Sequence, residues 1–169
     1  FQGCDYIVAP SGSCSGMIRT HYPVIFKDEP EVLQRLTVLT DKTYELTDFL
    51  VNVAKPDKLN TNFSGSVTYH DSCSGLRELG VKNQPRTLLK QCGVAVTEML
   101  DAEVCCGFGG TFSVKLGDIS TRMADNKCVN AQLALMQSSA AIWVVCSRSK
   151  DAYAATAIIK PKCYTSPKS

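Results

Sequence analysis

The sequence predicts an α/β fold in which helices layer against a parallel sheet and cysteine-bearing loops lie at the carboxyl ends of strands. Three observations carry that expectation. Short apolar runs bounded by turn residues alternate along the chain with segments of helical period. The cysteines with recognisable surroundings each follow an apolar run, which is where open parallel sheets place their ligands. The chain has 169 residues, 44% of them hydrophobic and 20% charged, enough for one ordinary domain or two small ones.

The elements follow in order. Tyr6, Ile7, Val8 and Ala9 form a buried-type run that Pro10, Ser11, Gly12 and Ser13 end, a strand feeding a turn on which Cys14 sits. Leu46, Phe49, Leu50 and Val53 fall at i, i+3, i+4 and i+7, and Val32, Leu36 and Leu39 keep the same spacing upstream, so residues 31–54 read as one or two amphipathic helices that Pro56 terminates. A polar loop over 56–65 leads to a strand at 66–70, which ends in Asp71, Ser72 and Cys73. Asn83 and Pro85 start a helix that carries Leu88 and Leu89 and closes at Gly93. Val94, Val96 and Met99 alternate as a strand running into Cys105, Cys106, Gly107, Phe108, Gly109 and Gly110. From Asp118 onward, Ile119, Met123 and Lys127 share a helix that continues past Asn130.

Composition narrows the function classes. The longest uninterrupted apolar run covers only 140–146, too short for a membrane helix. Eighteen Lys and Arg against sixteen Asp and Glu leave a net charge of +2 without a basic block, so neither nucleic acid nor an anionic membrane is an expected partner. No secretory signal is expected at the start of the chain, and an odd, clustered set of nine cysteines argues against a disulfide framework. A reducing cytoplasm is the expected setting, and metal or redox chemistry the leading question.

Cys105 and Cys106 carry the sharpest signal. Adjacent thiolates diverge and fit poorly into one tetrahedral zinc site, but they can serve different irons of a polynuclear cluster. Gly107, Gly109 and Gly110 let backbone approach closely and aim N–H groups at sulfur, offsetting thiolate charge. The plain alternative is a pair of small buried hydrophobes.

Spacing shifts the balance. Thirty-one residues separate Cys73 from Cys105-Cys106-Gly107. With the stretches PSGSCSGMIR (10–19), YELTDFLVNV (44–53), YHDSCSGLRELG (69–80) and CCGFGGTFSVK (105–115), this resembles the CCG, or cysteine-rich, domain family of iron-sulfur oxidoreductase subunits. The resemblance implies that Cys73, Cys105 and Cys106 hold a [4Fe-4S]-type cluster, for which the family also offers a non-cubane form, with Gly107 and Gly109 beside it. It implies that Cys14 belongs to a second cluster, incomplete here, whose own Cys-Cys-Gly is expected upstream of Phe1. Residues 1–55 then read as the remainder of a first CCG module with connecting helices, and 56–130 as a second module. The implied function is electron transfer in a complex that oxidises L-lactate to pyruvate, in company with other subunits. No catalytic side chain is assigned, and the isolated fragment is expected to be inactive. The alternatives are a thiol-disulfide reductase subunit of the heterodisulfide reductase type, and a cluster-free α/β interaction module or zinc protein.

Past Asn130 the resemblance stops. Back-translation of 142–145 one nucleotide out of frame permits Asp-Leu-Gly-Cys, and the same shift yields family-like segments from 133–141 and from 162–167. Residues 131–169 are therefore expected to be a frameshifted tail. Cys146 stands near the position of the family's terminal ligand, but its neighbours are foreign and its spacing is treated as coincidence; Cys163 has no role.

The remaining residues have plain readings. His70, three residues before Cys73, is expected to hydrogen-bond or pack rather than activate a nucleophile, and His21 is expected to be structural. The GFGG run lacks the Lys-Ser/Thr of a phosphate loop. Cys4, Cys92 and Cys128 read as core or surface thiols, and Arg77 and Arg86 as parts of a solvated helix face.

Overall fold

The computed structural model describes Phe1, residues 3–57, Leu59 and residues 66–136. Polar loop residues 58 and 60–65, and the tail from 137 onward with Cys146 and Cys163, lie outside the described residues. The described chain falls into two compact units. One combines the N-terminal residues with Asp71–Cys92; the other combines 66–70 with the residues from Gly93 on.

In the first unit, strand β1 (Ile7–Ala9) ends at Pro10, and Ser11 caps helix α1 (Gly12–Gly16). The helix runs without a break through a π-helical turn, Met17–His21, into α2 (Tyr22–Ile25). Pro30, at a first-turn position where its missing N–H costs nothing, opens α3 (Pro30–Asp41). Strand β2 (Thr43–Glu45) then returns parallel to β1, pairing Ile7 with Thr43, Val8 with Tyr44 and Ala9 with Glu45. A parallel return needs a crossover, and the helices supply it. Buried Ser15 donates from its hydroxyl to the Tyr44 carbonyl at 3.4 Å, tying α1 to β2. Tyr6, Tyr44 and Phe49 meet edge to face with ring centroids 5.3–6.0 Å apart, the geometry that aromatic quadrupoles favour.

The Glu45 carboxylate caps α4 (Leu46–Phe49), accepting from the Thr47 N–H at 2.8 Å and the Asp48 N–H at 3.2 Å. A second π-helical turn, Leu50–Ala54, ends at Lys55 in left-handed backbone, just ahead of Pro56. Helices α5 (Cys73–Leu79) and α6 (Asn83–Gln91) complete the unit. Gly80, at φ +68, ends α5. The Gln84 side-chain amide donates to the Asp48 carboxylate at 3.1 Å and binds α6 to α4.

The second unit repeats parallel pairing on a smaller scale. Strands β3 (Ser66–Val67) and β4 (Ala95–Val96) align Ser66 with Ala95 and Val67 with Val96, and the Thr97 N–H extends the ladder to the Val67 carbonyl at 2.7 Å. Beyond β4 lie α7 (Thr111–Lys115) and α8 (Gly117–Met136). Met99, Ala131 and Ala134 form a core cluster with Ala102 packed on it. Helix α8 thus continues six residues past Asn130, with Ala131 fully buried and Ala134 and Leu135 buried. No helix among the described residues is long and apolar enough to cross a membrane.

The chain is α/β with parallel strand pairing, as the sequence predicts. Two details differ. Residues 31–54 are not purely helical, because Thr43–Glu45 interrupts them with a strand whose partner lies 36 positions upstream, beyond any local periodicity. Cys14 and Cys73 do not sit on loops but in the first turns of helices, since Ser11 and Ser72 cap earlier than the turn residues suggest.

Candidate metal centre

Cys105 and Cys106 stand on irregular backbone between β4 and α7, half-buried. The chain reaches them through a turn at which Asp101 takes left-handed backbone, φ 58. Two side chains hold that turn. The His70 Nδ1 pairs with the Ala102 carbonyl at 3.0 Å, fixing the ring's tautomer as the Nδ1–H form, and the buried Lys127 ammonium donates to the Asp101 carbonyl and, at 3.4 Å, to the Ala102 carbonyl. His70 is thus the hydrogen-bonding residue expected of it. Lys127 marks the helix as expected, but its ammonium is spent on this turn rather than on solvent.

After the cysteines, the Gly107 N–H points at the Cys105 sulfur, 3.3 Å away. Gly107 has φ +82, and a Cβ there would lie 2.6 Å from the Ser120 carbonyl oxygen and 2.9 Å from the Met123 Cβ. Only glycine satisfies both the torsion and the space. The Ser120 hydroxyl donates back to the Gly107 carbonyl at 2.9 Å, so α8 buttresses the turn. Gly109 is different: a Cβ there would meet nothing closer than the Phe112 Cβ at 3.8 Å, and its carbonyl accepts from the Phe112 N–H to start α7.

In the other unit, Cys14 is exposed in the first turn of α1 and Cys73 is half-buried as the first residue of α5. Ser72 caps α5, its hydroxyl accepting from the Gly75 N–H at 3.2 Å. The two helix starts abut. A Cβ on Gly12 would lie 2.7 Å from the Gly75 nitrogen, 2.8 Å from its Cα and 3.0 Å from the Ser72 hydroxyl, so the close approach requires glycine at position 12. His21 faces Glu78 at 3.3 Å in the same unit.

Arg86 departs from expectation. It is not on a solvated face: its guanidinium grips the buried Asp71 carboxylate in a two-point pair, 2.7 Å from Nη1 to Oδ1 and 2.9 Å from Nη2 to Oδ2. Sequence could not pair them, because fifteen positions and a helix separate the two and Arg86 lies outside every recognisable stretch.

None of the seven described cysteines is in a disulfide. Among the described residues no group of three or more His, Cys, Asp or Glu side chains is gathered closely enough to hold a metal ion. The donor chemistry at Cys105 and Cys106 does fit an iron-sulfur cluster, since neighbouring thiols with a backbone N–H already aimed at sulfur are what a thiolate-rich cluster needs.

Residues 67–148 match the family model of the CCG cysteine-rich domain, a span that takes in Cys73, Cys105, Cys106 and Cys146. These residues belong to the family of CCG cysteine-rich domains. Among curated proteins the chain is similar to lactate utilization protein A of Anoxybacillus flavithermus, 48% identical over 128 residues, which is 75% of this chain and 53% of that protein. The proteins of the same name from Geobacillus sp. strain WCH70 and Bacillus subtilis strain 168 are 47% and 46% identical over the same length and coverage. The chain spans about half the length of these curated relatives.

Proposed function

We propose that this chain is the cluster-holding part of a lactate-utilisation protein, which passes on the two electrons released when L-lactate becomes pyruvate. The observation that carries the cluster assignment is the Gly107 N–H on the Cys105 sulfur, in a turn where no other residue than glycine fits. The lactate assignment rests on the similarity to lactate utilization protein A. Cys73, Cys105 and Cys106 would ligate the iron, and Cys14 would serve a second cluster completed by residues outside this chain. When bound, an iron-sulfur cluster of the [4Fe-4S] or non-cubane kind supplies one-electron steps.

The protein's own residues set the conditions for those steps. Gly107 donates to thiolate sulfur and so favours the more electron-rich state. His70, Lys127 and Ser120 keep the turn from rearranging when charge changes, which holds the reorganisation cost down. Substrate oxidation itself is assigned to partner subunits of a cytoplasmic complex. The test is lactate-dependent bleaching of the iron-sulfur absorbance, under anaerobic conditions and with the partner subunits present. Bleaching with L-lactate supports the proposal. Bleaching with dithionite but not with lactate removes the lactate role, and no iron-sulfur absorbance at all removes the cluster.

A further inference from the structure

Asp71 is the least expected side chain near Cys73. It lies two residues before that cysteine, its side chain fully buried, with each carboxylate oxygen on a different nitrogen of Arg86. Arg86 Nη1 also donates at 2.6 Å to the carbonyl of Lys82, the residue just before α6, so the guanidinium is itself fixed in direction. Between Asp71 and Cys73 there is only Ser72, extended at φ −66 and ψ 138, with its hydroxyl on the Gly75 N–H. The backbone entering Cys73 is therefore clamped at both ends, by the ion pair on one side and by the helix cap on the other.

Stability alone is a poor reason for such a pair. Desolvating two charges consumes most of what their attraction returns, and apolar residues of the same volume often serve stability as well or better. What a two-point arginine-carboxylate pair gives, and a packed apolar contact does not, is a fixed orientation. We infer that Arg86 is a positioning residue for Cys73, acting through Asp71 to hold the cysteine sulfur in the direction that metal ligation requires. The inference rests on Cys73 being a ligand; the clamp itself does not.

The test uses the full chain with Arg86→Lys, which keeps the charge but loses the two-point geometry, and with Asp71→Asn, which keeps the shape but loses the charge. Two readouts separate positioning from bulk stability. In metal-free protein, iodoacetamide alkylation of Cys73 is mapped by peptide mass against Cys4, an exposed thiol of the same unit. After anaerobic loading with iron and sulfide, the electron paramagnetic resonance spectrum of the reduced protein is compared with that of the wild type.

The expected result is a folded Arg86→Lys chain in which Cys73 alkylation rises several-fold relative to Cys4 and the resonance signal changes shape. An unchanged alkylation ratio in the folded variant overturns the inference, as does a changed ratio with an unchanged spectrum in the loaded protein. If the wild type takes up no iron, the ligand reading fails on its own, and the alkylation ratio alone decides whether the clamp orients Cys73. Should Arg86→Lys not fold, Asp71→Asn carries the same comparison; loss of folding in both marks the pair as a folding element and overturns the positioning role.

Discussion

Cys105 and Cys106 sit on irregular backbone whose carbonyls are tied from outside by His70, Lys127 and Ser120, whereas Cys14 and Cys73 each occupy the first turn of a helix capped by its own serine. The first arrangement borrows its rigidity from distant elements, chiefly α8. The second is built locally and then locked by a glycine approach, Gly12 against Gly75 and Ser72. Two ways of fixing a cysteine thus occur in one chain, and they differ in what should break them.

The largest effect is expected at Gly107. Gly107→Ala puts a methyl group 2.6 Å from a carbonyl oxygen at positive φ, and should cost about 3 kcal/mol in urea-induced unfolding. Hydrogen exchange should show the loss around 101–120. Gly12→Ala comes next, at about 2 kcal/mol, because backbone rather than a yielding side chain stands in the way, although alanine's better helix propensity returns part of the cost. Its exchange signature should fall on α1 and α5 and spare the Cys105 turn. A Gly12→Ala protein that exchanges fastest at 101–120 would break the contrast between the two regions.

Part of this contrast is legible in the sequence. Parallel α/β character, the strand at Ile7–Ala9, the helices beginning near Pro30, Asn83 and Gly117, and the importance of Cys105-Cys106-Gly107 follow from periodicity, capping residues and glycine placement, all of them local signals. The strand at Thr43–Glu45 did not, because three residues between helices carry too little pattern and its partner is distant in sequence. The Asp71–Arg86 pair and the burial of Lys127 were equally illegible: a charged side chain normally faces water, and only the folded chain shows which charges it encloses. Gly107 and Gly109 read alike in sequence, yet the first is forced by its surroundings and the second is not.

The serine caps and Gly109 carry smaller expected effects. Ser72→Ala should cost about 1 kcal/mol and exceed the cost of Ser11→Ala, since the Ser72 hydroxyl meets its N–H at 3.2 Å and the Ser11 hydroxyl only at 3.5 Å; paired thermal melts would check the order. Gly109→Ala should stay within about 0.5 kcal/mol of the wild type, because its Cβ meets only ordinary van der Waals distances. A Gly109→Ala loss as large as that of Gly107→Ala would show that the whole GFGG run, and not Gly107 alone, shapes the turn.

Whether Cys105 and Cys106 hold an iron-sulfur cluster is decided by measuring iron and acid-labile sulfide after anaerobic reconstitution of the full chain, its Cys106→Ser variant and a Cys92→Ser control. The expected result is iron and sulfide in the wild type and the control, and a clear loss of both in Cys106→Ser. Equal iron and sulfide in all three proteins would contradict it.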